Sequence, residues 1–255
     1  MIWPLLRTRR WLGFTAVVVG AIVAFGLLSH WQWSRAEERR AERVALQAAL
    51  GAEPIPLASL DPATMASDEW RTVSVRGEYL PTLQAGVRKR PLDTRNGFWL
   101  MAPMETTTGA LVWINRGWLP AGKDALSTPD FPPPPDGTVT VTGHLRLFEE
   151  ADPQGNAGLP AGQIAAPAPE LLPATGRSLP AYVQLSTSQP EQVGLVPLPL
   201  PEVDEGRNIS YAIQWLLFAA VALGGWFFFL RREAREDADR AAADAVVASG
   251  VEGSP

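Results

Sequence analysis

Two stretches of this chain carry no Asp, Glu, Lys or Arg. They span residues 11–34 and 208–230, and both are built from Val, Ala, Leu, Ile, Gly and aromatic residues. About twenty such residues, wound as a helix, cross the roughly 30 Å of a bilayer's hydrocarbon. The pattern therefore predicts two transmembrane helices, at 11–33 and 208–230. The first is longer than the apolar part of a cleaved signal, no A-x-A-like site follows it, and Trp31, Trp33 and a charged segment come next. It reads as a retained span.

Between the spans the pattern changes period. Residues 35–50 are rich in Ala, Glu, Arg and Leu and lack Gly and Pro, which predicts that the first helix continues until Gly51 and Pro54 end it. Alternation then sets in. Residues 71–79 (RTVSVRGEY) and 138–148 (TVTVTGHLRLF) alternate apolar with polar, while 84–90, 97–103, 111–118 and 181–186 are further strand candidates. Gly77 and Gly143 fall inside strands and read as bulges or close backbone approaches. Residues 132–135 (PPPP) predict a stiff loop, and 151–180, rich in Pro, Ala and Gly, an irregular excursion. The last stretch, 238–255, is small, polar and acidic, and reads as a disordered tail. The fold expected is α+β: two transmembrane helices bracketing a β-rich domain, either an antiparallel sheet or a small barrel.

Charge orients this frame. Arg7, Arg9 and Arg10 precede the first span, and Arg231, Arg232 and Arg235 follow the second. The approach to the second span, with Glu202, Asp204, Glu205 and Arg207, is net acidic. The positive-inside rule puts both termini in the cytoplasm. The expected layout is a cytoplasmic tail (1–10), the first span (11–33), an extracytoplasmic β-rich domain with its leading helix (34–207), the second span (208–230) and a cytoplasmic tail (231–255). This is a multi-pass protein of the cell membrane, in contact with lipid.

Composition removes several chemistries. The net charge is −5 and no basic patch lies away from the spans, so a nucleic-acid partner is not expected. With no cysteine there is no disulfide, thiolate metal site or cysteine nucleophile, and two histidines offer little to a metal. No hydrolase or phosphate-binding motif occurs, so neither catalytic residues nor an enzymatic role are expected. The polar residues in the spans stand out instead. His30 can ligate a haem iron or meet headgroups. Gln32 and Gln214 can hydrogen-bond across the helix pair, because lipid offers no partner. Asn208 and Tyr211 open the second span at the depth of His30 and Trp31. His144, by alternation, is expected on a solvated strand face.

Five segments, in order, resemble the Surfeit locus protein one family. They are LSHWQWSR (28–35), WRTVSVRGEY (70–79), VWINRGWLP (112–120), VTGHLR (141–146) and NISYAIQW (208–215). That family assists assembly of haem-copper cytochrome c oxidase. The resemblance implies an assembly factor that stabilises subunit one or aids haem a insertion, with subunit one and other assembly factors as partners. It points to Trp31, Gln32, Arg35, Asn115, Arg116, Gly117, Asn208, Tyr211 and Trp215 as partner-binding or structural positions. Asn115, Arg116 and Gly117 would end a buried strand in a polar turn, with Arg116 free to ion-pair or meet a haem propionate. One departure matters: Asn208 stands where the family has a histidine thought to bind haem a in some bacterial members. Asn ligates iron poorly, which leaves His30 as the candidate ligand. The alternative reading is a membrane-anchored binding domain serving another membrane complex.

Overall fold

A computed structural model describes residues 3–122, 128–173 and 178–251, the last seven of these for their backbone alone. They fall into two units, residues up to 43 with residues from 202 onward, and residues 44–201.

The first unit is helical. After a single turn, α1 (Trp3–Leu6), the helix α2 runs from Arg9 to Gly51 over 43 residues. Its charged extension is continuous with its apolar part, as the absence of Gly and Pro predicts, and its last turns belong to the second unit. The returning helix is α3 (Gly206–Val251), whose first turn is capped by Asp204, its carboxylate accepting from the Gly206 N–H at 2.8 Å. Both helices are long and apolar enough to cross a membrane. The expected disordered tail is corrected in part: α3 continues through Val251. Alanine's high helix propensity and the pairing of Arg240 with Glu236 and Asp237 favour this. Residues 252–255 lie outside the description.

The second unit holds eight strands: β1 (Ile55–Pro56), β2 (Thr72–Tyr79), β3 (Ala85–Val87), β4 (Gly97–Thr106), β5 (Leu111–Pro120), β6 (Thr138–Leu147), β7 (Gln163–Ile164) and β8 (Ser178–Gln189). All six expected strands form. The two-residue β1 and β7 are additions too short to leave a pattern. Five strands close into a barrel in the order β2-β6-β8-β5-β4 and back to β2. Within the ring β5 and β8 run parallel, and every other pair antiparallel. Of the two architectures expected, the small barrel is the one built.

Closure depends on Gly77, whose strand pairs with β6 on one side and β4 on the other. A Cβ there would fall within the van der Waals envelope of the Glu105 carbonyl oxygen. At Gly143 the same collision would occur with the Gln184 carbonyl. Both glycines are thus close backbone approaches at seams of the barrel.

The barrel interior is filled by Val73, Val75, Met104, Val112, Ile114, Val141, Leu145 and Val183, with Leu57 and Met65 from the β1–β2 connection. A second cluster lies on the outer wall. There Trp113, Met101, Val87 and Tyr182 are covered by Ile164, Ala168, Leu171 and Leu172 from the irregular excursion. This double cover explains β5, in which every residue from Leu111 to Leu119 is buried and alternation is lost.

Candidate functional site

The first-unit helices meet along a seam with a definite period. On α2 it comprises Trp11, Thr15, Val18, Ile22, Phe25, Ser29, Gln32 and Ala36, all buried or half-buried at alternating steps of four and three. Seven steps over 25 positions average about 3.6 residues, the period of the α-helix itself, so one stripe stays turned toward a partner helix. Polar ties punctuate it. The Trp226 indole N–H donates to Thr15 Oγ1 at 3.0 Å, and Ser29 Oγ donates to the Ala212 carbonyl at 2.9 Å. Asn208 Nδ2 donates to Gln32 Oε1 at 3.0 Å. Phe25 stacks on Trp215 with 5.7 Å between ring centres. At the two ends lie ion pairs, Arg10 with Glu233 at 3.2 Å and the two-pronged Arg43–Glu205 at 3.0 and 2.8 Å. The hydrogen bond from Arg43, aided by a backbone hydrogen bond, holds the Glu205 carboxyl below its usual range against the opposing effect of burial.

Of the span residues singled out from sequence, Gln32, Asn208 and Trp215 are brought together in this seam. His30, Trp31 and Tyr211 are not: they are exposed on the helix surfaces beside it. Arg35 is also exposed and pairs with Glu38 at 2.6 Å. Gln214 is exposed too, two residues and so more than half a turn past Ala212, which faces the seam.

In the barrel, the expected polar turn at residues 115–117 does not form. β5 continues through Pro120, and Gly117 adopts φ +137° where Trp118 pairs with Val196. A side chain at Gly117 would meet the Val196 carbonyl oxygen at 2.7 Å. Arg116 is 1% exposed, and among the described residues it pairs with no carboxylate. Its guanidinium donates to Gln84 Oε1 at 2.6 Å, the Pro132 carbonyl at 2.7 Å, the Pro133 carbonyl at 3.0 Å and Gln192 Oε1 at 3.0 Å. The Gln192 amide in turn donates to the Arg116 carbonyl. Burial lowers the Arg116 pKa to about 10, so it stays a cation at neutral pH, held wholly by neutral acceptors. It works as a clamp that fixes the proline loop and the segment after β8 against β5. Asn115, 1% exposed, accepts from the Gly117 N–H at 3.3 Å, and its Nδ2 has no hydrogen-bond partner among the described residues.

A third polar group centres on His144, and here the solvated-face expectation is corrected. His144 does point away from the barrel interior that Leu145 fills, but it is only 6% exposed. Its Nδ1 lies 3.4 Å from Thr72 Oγ1 and its Nε2 lies 3.1 Å from Ser186 Oγ. Thr72 Oγ1 also donates to the Leu50 carbonyl at 3.1 Å, which caps the end of α2. Trp70, at φ 70°, covers the imidazole, and Arg146 lies 3.7 Å over its ring while bonding Glu69 at 3.1 Å. Burial pushes the His144 pKa below its usual range; Arg146 adds to this and a Trp70 backbone hydrogen bond opposes it. Among the described residues Nδ1 faces the Thr72 hydroxyl and no carboxylate, so the Ser186 contact lacks the third member of a nucleophilic triad. Among the described residues no three His, Asp or Glu side chains gather into a metal site.

Most of this architecture falls within a known protein family. A model of the SURF1 family matches residues 19–220, from the middle of α2, through the whole barrel, into α3. The chain belongs to the SURF1 family. It is 31% identical over 240 residues to an uncharacterized SURF1-like protein of Mycobacterium bovis, covering 88% of this chain and 85% of that protein. The same figures hold for uncharacterized SURF1-like proteins of two Mycobacterium tuberculosis strains. The matched region contains the Arg116 clamp and the seam from Ile22 to Ala36, while Trp11, Thr15, Val18 and Trp226 lie outside it. The interhelical Asn208–Gln32 bond occupies the point where the family resemblance leads one to expect an imidazole.

Proposed function

We propose that this chain is a membrane-anchored assembly factor for a haem-copper cytochrome c oxidase, stabilising subunit one or assisting its haem a insertion. The observation that carries the reading is the SURF1 family match across helix, barrel and helix. In this reading α2 and α3 cross the cell membrane as a hairpin, with both termini in the cytoplasm and the barrel outside. The arginine-rich flanks support that orientation. The large side chains exposed on the helices, among them Val17, Leu27, Leu217 and Phe228, are the surface lipid would cover. The working contacts are the exposed aromatic and polar residues His30, Trp31, Trp33 and Tyr211, offered to a helix of the client subunit. In this reading the protein acts by binding rather than catalysis.

Haem a enters as the client's cargo. The donor set at this end of the hairpin does not fit a built haem site: the Asn208 amide is committed to Gln32, and the nearby imidazole, His30, is exposed beside the seam. His30 is the remaining candidate ligand. The absorbance of the purified protein, co-expressed with haem a synthesis, tests it; equal haem content in wild type and His30→Ala eliminates His30. The function as a whole is tested by deletion. Loss of oxidase activity with other respiratory branches intact supports it, and unchanged oxidase activity favours an accessory of another membrane complex.

A further inference from the structure

Seven residues of α3 form one continuous stripe on the helix surface: Gly224, Phe227, Phe228, Arg231, Arg232, Arg235 and Glu236 line a cleft of about 540 Å³. The stripe changes character along its length. Gly224 leaves a notch with nothing within 4 Å of an added Cβ, and the two phenylalanines extend this apolar floor. Three guanidiniums then follow against a single carboxylate. Glu236 is taken up by Arg232 at 2.8 Å and by Arg240 at 3.9 Å. Arg231 and Arg235 form no ion pair among the described residues, and Arg231 lies 5.4 Å over the Phe227 ring. They stand four residues apart, one turn, about 6 Å along the axis. A phosphodiester between them can accept from both guanidinium forks, which suit phosphate oxygens better than a point charge does.

We infer that this stripe is a binding site for one anionic phospholipid, its phosphate between Arg231 and Arg235 and its acyl chain along Phe227, Phe228 and the Gly224 notch. The charge selects the occupant, because a zwitterionic lipid brings its own cation to a site that already has an excess of them. The apolar floor favours a lipid over free phosphate, because only the lipid has an acyl chain to lay on it. The inference rests on the membrane-hairpin reading, and it goes further by separating a formed site from the arginines' general role in setting orientation.

Native mass spectrometry of the full-length protein in neutral detergent, titrated with dioleoylphosphatidylglycerol or dioleoylphosphatidylcholine, tests it. Wild type should retain phosphatidylglycerol in preference to phosphatidylcholine. Arg231→Gln and Arg235→Gln should each weaken phosphatidylglycerol binding about fivefold, with the lysine variants recovering part of it. Arg240→Gln, whose guanidinium already serves Glu236 and Asp237, should change nothing. Equal retention of the two lipids by wild type, or full retention in the Arg231→Gln/Arg235→Gln double variant, overturns the site. Orientation is measured separately. The chain has no cysteine, so Ala241→Cys gives a single thiol whose labelling in inverted versus right-side-out vesicles reports the side of α3's end. A cytoplasmic thiol with no lipid preference refutes the site alone, and an external thiol refutes the orientation.

Discussion

Gly77→Ala should open the barrel. The added methyl would overlap the Glu105 carbonyl oxygen and lie 2.9 Å from both the Glu105 carbonyl carbon and Met104 Cγ. Carbon atoms pack at about 3.5–4.0 Å, so β2 and β4 must part by roughly 0.6–1 Å. Overpacking of this kind costs about 1–3 kcal/mol. The β2–β4 pairing spans only Gly77, Glu78 and Tyr79, so parting it also puts two or three hydrogen bonds at risk, at about 1 kcal/mol each. The expected total is about 3–6 kcal/mol, or a fall of about 10–15 °C in the unfolding midpoint for a chain of this size. Gly109→Ala is the matched control. Gly109 sits at φ +79° with nothing within 4 Å of the new methyl, so only the left-handed backbone conformation is penalised, by about 1–2 kcal/mol. Near-UV circular dichroism of the full-length protein in detergent, which reports the packed tryptophans Trp113 and Trp118, measures both. A Gly77→Ala midpoint no lower than that of Gly109→Ala would refute a barrel closed through this residue.

Three further outcomes follow from the polar clusters. Removing Arg116 as Arg116→Ala strands the Pro132 and Pro133 carbonyls and both glutamines, and should cost about 3–5 kcal/mol in denaturant unfolding, with Arg116→Lys recovering little because an ammonium cannot fork to four acceptors. His144 has a lowered folded pKa, so below its unfolded value of about 6.5 the unfolded state binds the extra proton. Its contribution is absent above that pH, and barrel stability falls as pH drops from there toward the folded pKa. His144→Gln should flatten that slope in unfolding midpoints taken from pH 7.5 to 5. Asn208→Leu removes the bond to Gln32 and should weaken the helix pair by about 0.6–2 kcal/mol, read as loss of cross-linking between cysteines placed at Ile22 and Ala219.

The helices and most strands were legible because their signals are local. A run of uncharged residues needs no tertiary context, and the alternation in residues 72–79 and 138–147 survives since one face of each strand fills the barrel. What escaped was set by contacts far apart in sequence. Closure depends on Gly77 meeting a carbonyl 28 positions on, at Glu105. Residues 111–119 lost their alternation when the proline-rich excursion covered their outer face. His144 kept its place in the alternation, but Trp70 and Thr72 roof the face it points to. Arg116 resembled a turn residue because strand interiors seldom bury a cation without a carboxylate; its acceptors come from positions 84, 132, 133 and 192. One signal was present and unread: the four–three spacing from Trp11 to Ala36 places Ser29 and Gln32 on the seam and His30 off it.

The central claim is that this hairpin and barrel serve a haem-copper oxidase. The most direct measurement is purification of the affinity-tagged, full-length protein from native membranes during oxidase synthesis, with its partners identified and oxidase activity assayed in a strain lacking the chain. The account predicts that oxidase subunit one co-purifies, that Trp31→Ala with Tyr211→Ala reduces its recovery, and that the deletion strain loses oxidase activity while other respiratory branches continue. Normal oxidase activity in the deletion strain, with subunit one missing from the purified material, would contradict it.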